Sequence, residues 1–213
     1  EGFVLAPEVC LSGFYYKDMD RATAFSELVI DELKKLSTKK TISLSMIVKD
    51  GDSYKNRLFV FHKNEIHHTQ DKHKLFKLGD EHKYFTSGEE SKIIKYEIDG
   101  VKFASLICFE LRFLYLWERL KGVDIFTIPA MWGKERKEHY KTLTKALAIA
   151  NQCYCVASDS SNIDMAASSQ IYDPFGKTGE VIYKRGSSKI VKSTFDSKTI
   201  KTARKYIDVG IGS

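Results

Sequence analysis

The stretch Ser105-Leu106-Ile107-Cys108-Phe109-Glu110-Leu111-Arg112-Phe113 decides how the chain is understood. The residues leading into it, Val101 to Ile107, are rich in apolar and β-branched side chains, as in a strand. Those that follow, Leu111 to Leu120, mix apolar and charged residues at helical spacing. Cys108 therefore stands at a strand-to-helix junction. A side chain there projects from the carboxyl end of a sheet, and hydrolases on other α/β scaffolds place nucleophiles at such elbows. The partly positive N-terminus of the following helix favours a thiolate. The competing reading is a buried cysteine that packs as a small hydrophobe, the commoner fate of a free thiol.

The chain of 213 residues is long enough for a single large domain, 1–213, with a full core. No apolar run approaches the ~20 residues of a membrane helix, and no signal peptide is visible. The cysteines are Cys10, Cys108, Cys153 and Cys155; none forms a C-x-x-C pair, which argues against a zinc ribbon or a thioredoxin motif. A reducing, cytoplasmic setting fits such a set. The net charge of +6 comes from scattered lysines, with no zinc-finger spacing and no aromatic RNA-binding block, so nucleic acid is not an expected partner.

Two further stretches carry chemistry. Phe3-Val4-Leu5-Ala6 reads as a buried strand ended by Pro7, which places Glu8 at its carboxyl edge, where open α/β sheets put functional groups. Arg21 to Leu36 reads as an amphipathic helix with Ala22, Phe25, Leu28, Val29 and Leu33 on its inner face. Thr41 to Val48 alternates as a strand with one polar side, and Asp50-Gly51 marks a turn. A hairpin around Lys63-Asn64 then delivers the chain to Asp71-Lys72-His73-Lys74-Leu75-Phe76. The loop-like segment Gly79 to Gly88 follows, with Glu81 in it, and loops of this length over a rigid sheet often line a site.

Downstream, Asp99-Gly100 joins two strands in a hairpin. Val123 to Ile128 is a strand ended by Pro129, with Met131 and Trp132 at its carboxyl edge. Glu138 to Asn151 is a helix with Tyr140, Leu143, Leu147 and Ala150 on one side. Tyr154 to Ala157, Glu180 to Tyr183 and Lys189 to Phe195 read as strands, and Thr199 to Tyr206 as a closing helix.

A cysteine nucleophile needs a base for its proton and positive groups where a carbonyl oxygen gains charge. None of the six histidines has a papain-like context. A carboxylate can serve instead where burial raises its pKa, and Glu8 fits that need. Lys72 and the backbone N–H of Phe109 are candidates for the oxyanion contacts.

The segments Pro7 to Phe14, Lys72 to Phe76 and Ile107 to Phe113 resemble, in order, those of the nitrilase superfamily of carbon–nitrogen hydrolases. Trp132, His139-Tyr140, Asn151-Gln152 and Asp173-Pro174-Phe175-Gly176 extend the likeness over nearly the whole chain. The resemblance implies a four-layer α-β-β-α sandwich and a Glu-Lys-Cys triad. Glu8 is then the general base, Lys72 stabilises the tetrahedral intermediate, Cys108 is the nucleophile and Glu81 is a second, substrate-side glutamate. Met131 and Trp132 line the pocket. The resemblance implies hydrolysis of a small amide or N-carbamoyl amine through a thioester, with no metal or organic cofactor. It also implies a small-molecule partner and a homodimer or higher homo-oligomer. An ammonia-supplying glutaminase module and a non-catalytic scaffold are the alternatives.

The chain departs from the family pattern at Lys74, where histidine is common, and at Leu147 and Ala150, which replace an arginine and a glutamate. The family's first strand and helix have no counterpart before Glu1, so a native chain longer by a few tens of residues is expected.

Overall fold

The computed structural model describes residues 2–211. The chain divides into two compact units, Glu1–Ile93 and Ile94–Ser213. Among the described residues, no helix is long and apolar enough to cross a membrane.

The first unit is built on a four-stranded sheet in the order β1-β2-β3-β4. β1 (Gly2–Leu5) runs parallel to β2 (Lys40–Asp50), with helix α1 (Met19–Leu36) between them in sequence. β3 (Ser53–His62) and β4 (Glu65–Asp71) continue by antiparallel hairpins. The β3–β4 turn puts Lys63 and Asn64 at φ 49° and 67°, the two left-handed positions of a tight hairpin. A short helix, α2 (Glu81–Tyr84), follows. On one sheet face Leu44, Met46, Val48, Phe59 and Phe61 form a core that Val29, Ile30 and Leu33 of α1 cover. Asp18 caps α1 by accepting the Arg21 N–H at 2.9 Å.

Three expectations for this unit are corrected. β1 is not buried: it ends the strand order and alternates exposed with half-buried residues. β2 has no solvated polar side, because Ser43 and Ser45 are fully buried. Ser45 Oγ is satisfied inside by accepting the Val9 N–H at 3.0 Å, whereas Ser43 Oγ is buried without a hydrogen-bond partner among the described residues. Finally, α1 turns Phe25 and Leu28 outward and buries Met19, Ala22, Thr23 and Ser26. The small side chains bring the helix close to its neighbours. The hydroxyls of Thr23 and Ser26 satisfy themselves on the carbonyls of Met19 and Ala22.

The second unit is built on a five-stranded sheet in the order β5-β6-β7-β8-β9. β5 (Tyr96–Ile98) and β6 (Val101–Ser105) form the expected hairpin, with Asp99 and Gly100 at φ 47° and 81°. β6, β7 (Ile125–Ala130) and β8 (Tyr154–Asp159) are parallel, and β9 (Gln170–Tyr172) returns antiparallel. Helix α3 (Leu114–Arg119) lies between β6 and β7 in sequence, and α4 (Lys137–Ala150) between β7 and β8. An exposed ribbon of β10 (Glu180–Arg185) and β11 (Ser188–Lys192) and helix α5 (Ser197–Tyr206) complete the unit.

Here too the structure revises the sequence reading. Pro129 does not end its strand but lies within β7, opposite Ser158. The β6–β7 register stops at Thr127, so beyond it β7 has a neighbour on one side and a missing N–H interrupts no ladder there. The α4 core face consists of Tyr140, Thr144, Leu147 and Ala148, while Ala150 is exposed. β9, only three residues long, is absent from the sequence reading.

One close approach fixes the end of β4. Gly88 donates its N–H to the Lys72 carbonyl at 2.9 Å, and a Cβ on Gly88 would lie 2.5 Å from the Asp71 carbonyl oxygen. Gly88→Ala is expected to lower unfolding free energy by about 1–3 kcal/mol in urea titrations. Leu28→Ala, at a side chain on the exposed face of α1, is expected to change it by no more than about 0.5 kcal/mol.

Candidate active site

In the first unit, the ends of β1 and β4 bring three charged side chains together. The chain leaves β1 through Ala6 and Pro7 and turns at Glu8, followed by Val9 at φ 39°. A β-branched residue at positive φ is strained and persists only where its surroundings hold it. Val9 is held by Ser45 Oγ on its N–H and by the Gly13 N–H on its carbonyl at 2.7 Å. Lys72 continues β4 by donating its N–H to the Asn56 carbonyl at 2.8 Å. Its Nζ donates to Glu8 Oε1 at 2.7 Å and to Glu81 Oε1 at 2.6 Å. Lys72 and Glu8 are almost completely buried, and Glu81 nearly so. The neighbouring Arg57 grips Asp71 with two nitrogens at 2.6 and 3.0 Å, which fixes the strand end just before Lys72.

Each carboxylate has a further donor. Asn56 Nδ2 donates to Glu8 Oε1 at 2.8 Å, and the Phe76 N–H donates to Glu81 Oε2 at 3.0 Å. Burial pushes the Glu81 carboxyl up to about 7; Lys72 opposes this and the nearby Glu8 charge adds to it. Aromatic rings border the cluster. Lys72 Nζ lies 5.9 Å from the Phe14 ring centre, and Phe14 and Tyr16 both pack against Phe85. Tyr16 stacks on Tyr84 at 4.1 Å and donates its hydroxyl to the Gly79 carbonyl at 3.0 Å. Burial, and then the Glu81 charge, drive the Tyr16 hydroxyl to a higher pKa, so it remains a donor at neutral pH.

In the second unit, Cys108 follows β6 and is buried, at φ 50°. The expected α-helix after it is instead a 3-10 helix, Cys108–Arg112, separated from α3 by an extended Phe113. The cause is local: the buried Glu110 reaches back and accepts the Ile107 N–H at 2.7 Å, tightening the turn. Trp117 Nε1 closes the other end on the Leu111 carbonyl at 3.1 Å. Phe109 is therefore the second residue of a 3-10 turn, and its ring meets Phe113 edge-on at 5.3 Å.

Met131 and Trp132 follow β7, as expected, with Met131 half-buried. The Trp132 ring is buried, packs on Tyr140 at 5.3 Å and donates Nε1 to the Arg136 carbonyl at 2.8 Å. Its backbone N–H donates to Asp159 Oδ1 at 2.8 Å, and the Ser168 N–H takes Asp159 Oδ2 at 3.1 Å. Thus Glu8, Lys72 and Glu81 converge in one unit, while Cys108, Phe109, Met131 and Trp132 follow parallel strands of the other.

Sequence reasoning missed Asn56, Glu110 and Asp159. The available signal for Asn56 was an amide inside an otherwise good strand, where asparagine is disfavoured. Among the described residues, no group of three or more His, Cys, Asp or Glu side chains is arranged to hold a metal ion.

Residues 2–205 match the carbon-nitrogen hydrolase family. The 2-oxoglutaramate amidase of Bacillus subtilis (strain 168) is 31% identical over 220 residues, covering 97% of this chain and 82% of that protein. The fold is similar to that of XC1258 from Xanthomonas campestris, a CN-hydrolase superfamily protein solved with an arsenic adduct in its active site. The TM-score is 0.84 at 21% identity, over 97% of this chain and 82% of that one. It is also similar to an amidase from Nesterenkonia sp. AN1 whose active-site cysteine carries a Michael adduct of acrylamide, with a TM-score of 0.76 at 14% identity over 96% and 84% of the two chains. With a mixed α/β fold of nitrilase type and a family match along almost its whole length, the chain belongs to the carbon-nitrogen hydrolase family and is an amidase-type hydrolase of carbon–nitrogen bonds.

Proposed function

We propose that Glu8, Lys72 and Cys108 are the catalytic triad of this amidase and that its substrate is a small amide cleaved through a thioester on Cys108. The observation that carries this reading is the buried Lys72 ammonium bonded to both Glu8 and Glu81. An ammonium taken out of water at such cost, with two carboxylates gathered on it, marks a site arranged for charge that develops during reaction.

The steps follow from these groups. The Cys108 thiol gives its proton to Glu8 as the sulfur bonds to the amide carbon. The carbonyl π electrons move to oxygen, where Lys72 and the Phe109 N–H stabilise the charge. The intermediate collapses, the carbon–nitrogen bond breaks, and Glu8-H protonates the leaving nitrogen. Water then gives a proton to Glu8 and adds to the thioester carbon. A second collapse releases the acid and returns the proton to sulfur. Glu81, Met131 and Trp132 serve substrate placement in this reading.

The chain acts as a single carbon–nitrogen hydrolase domain in this proposal. The Bacillus relative named above favours an ω-amide of a keto acid over an N-carbamoyl amine as the first substrate to assay. The free thiols of Cys10, Cys108, Cys153 and Cys155 favour a reducing, cytoplasmic setting. Leu114 and Tyr115, exposed on α3, favour self-association there, whereas Leu116 and Trp117 of the same helix are in the core.

Cys108→Ala is expected to lower ammonia release from an amide panel by several orders of magnitude with the circular dichroism spectrum unchanged. Glu8→Gln is expected to abolish turnover comparably; wild-type turnover in either variant refutes the triad. Glu81 binds its proton more tightly in the folded chain than in the unfolded one. Its stabilisation is therefore fully present below the unfolded carboxyl pKa of about 4.3 and is lost as pH rises through about 7. Accordingly, the stability of Glu81→Gln relative to wild type is expected to increase between roughly pH 5 and pH 8, as read from urea midpoints.

A further inference from the structure

Arg112 has no part in the proposed chemistry, yet it makes two long-range contacts from the turn that carries Cys108. Its guanidinium carbon lies 4.9 Å from the centre of the Trp132 ring. Its Nη2 is 3.1 Å from His139 Nδ1. An arginine only donates, so Nδ1 of His139 is the acceptor in this contact. We propose that Arg112 is a positioning residue for Cys108, tying the five-residue turn that bears the sulfur to the segment after β7 and to the first turn of α4. The inference rests on the reading of Cys108 as the nucleophile.

Three observations support it. First, Cys108 at φ 50° is strained, and such a conformation persists only where the structure over-determines it. Second, the bonds of Glu110 to Ile107 and of Trp117 to Leu111 shape the turn within its own segment, and Arg112 adds side-chain contacts to Trp132 and His139, on the segment after β7 and on α4. Third, the partner of Arg112 is itself immobilised. Trp132 is held at its backbone N–H by Asp159, at its indole N–H by the Arg136 carbonyl, and on its ring by Tyr140. Arg112 therefore stacks on a fixed surface. Cys108 and Arg112 are the two ends of one 3-10 helix, so loss of the stacked end frees the reactive end to tilt. A guanidinium on an indole face is a favourable contact that asks little of geometry along the ring plane, while the hydrogen bond to His139 sets its rotation.

The test compares steady-state kinetics with the rate at which iodoacetamide alkylates Cys108, followed by peptide mapping so that Cys10 is scored separately. For Arg112→Gln we expect kcat to fall roughly 10- to 100-fold, KM to change less than about 3-fold, and Cys108 alkylation to slow by a similar factor to kcat. Arg112→Lys keeps a cation over the ring but loses the fork to His139, and is expected to fall in between, about 3- to 10-fold down in kcat. If Arg112→Gln does not fold, Arg112→Lys carries the same test.

A wild-type kcat and alkylation rate in the folded Arg112 variant overturns the proposal. So does a loss confined to KM, which would make Arg112 a substrate contact instead. Turnover that survives Cys108→Ala would remove the nucleophile reading itself. An inactive Cys108→Ala beside an unaffected Arg112→Gln would remove only the positioning role.

Discussion

The structure of the first unit depends on keeping one ammonium, that of Lys72, out of water. Moving a lysine charge into a protein interior costs several kcal/mol even after relaxation, roughly, and only close counter-charges with good geometry offset it. Lys72 meets that demand with two carboxylate oxygens at 2.7 and 2.6 Å. Those acids come from segments distant in sequence, the end of β1 and the start of α2. Bringing them together constrains the backbone on every side. Asn56 must lie within β3 to reach Glu8, Phe76 must present its N–H to Glu81, and Gly88 must lack a side chain to close on Asp71. The strained Val9 belongs to the same set of requirements, since it directs the chain away immediately after Glu8.

The second unit meets a different constraint. Its parallel strands β6, β7 and β8 all finish on one edge, and the carboxyl edge of such a sheet is where side chains can be presented without breaking a ladder. Cys108 and the Met131-Trp132 pair continue β6 and β7, and Asp159 is the last residue of β8. Asp159 is central to this arrangement. Its two oxygens satisfy N–H groups from the segment after β7 and from the segment leading into β9, so one buried carboxylate sets the spacing of two loops.

How much of this was legible in the sequence depended on whether a feature was local. The hairpins at Asp50-Gly51, Lys63-Asn64 and Asp99-Gly100 were legible because residues that tolerate positive φ announce them. Cys108 was placed after a strand, but the tight 3-10 turn was not foreseen, since it follows from Glu110 folding back on Ile107. The inner face of α1 was legible in part: Ala22, Val29 and Leu33 face the core as expected, whereas Phe25 and Leu28 turn outward and the hydroxyl-bearing Thr23 and Ser26 are buried in their stead. Burial of both faces of β2 was similarly hidden, because Ser43 and Ser45 look solvated by composition. The convergence of Glu8, Lys72 and Glu81 was available only through family resemblance. No periodicity reports that residues 64 positions apart share a hydrogen bond.

In the proposed reaction a carboxylate does work usually given to histidine. With both acids ionised, Lys72, Glu8 and Glu81 carry one net negative charge in a buried setting. The two carboxylates then repel each other across the ammonium, as the effect of Glu8 on Glu81 records. Burial first, and then the Glu8 charge, raise the proton affinity of Glu81 against the pull of Lys72, so this carboxyl takes up a proton more readily than one in water does. Lys72 in this proposal turns part of its hydrogen bonding toward the new oxyanion as one acid becomes neutral. In the proposed reaction those events coincide, because the proton leaves sulfur as charge appears on oxygen. In that reading two acids around one lysine couple proton uptake to anion stabilisation, which an imidazole base, becoming cationic as it works, would do by a different electrostatic route.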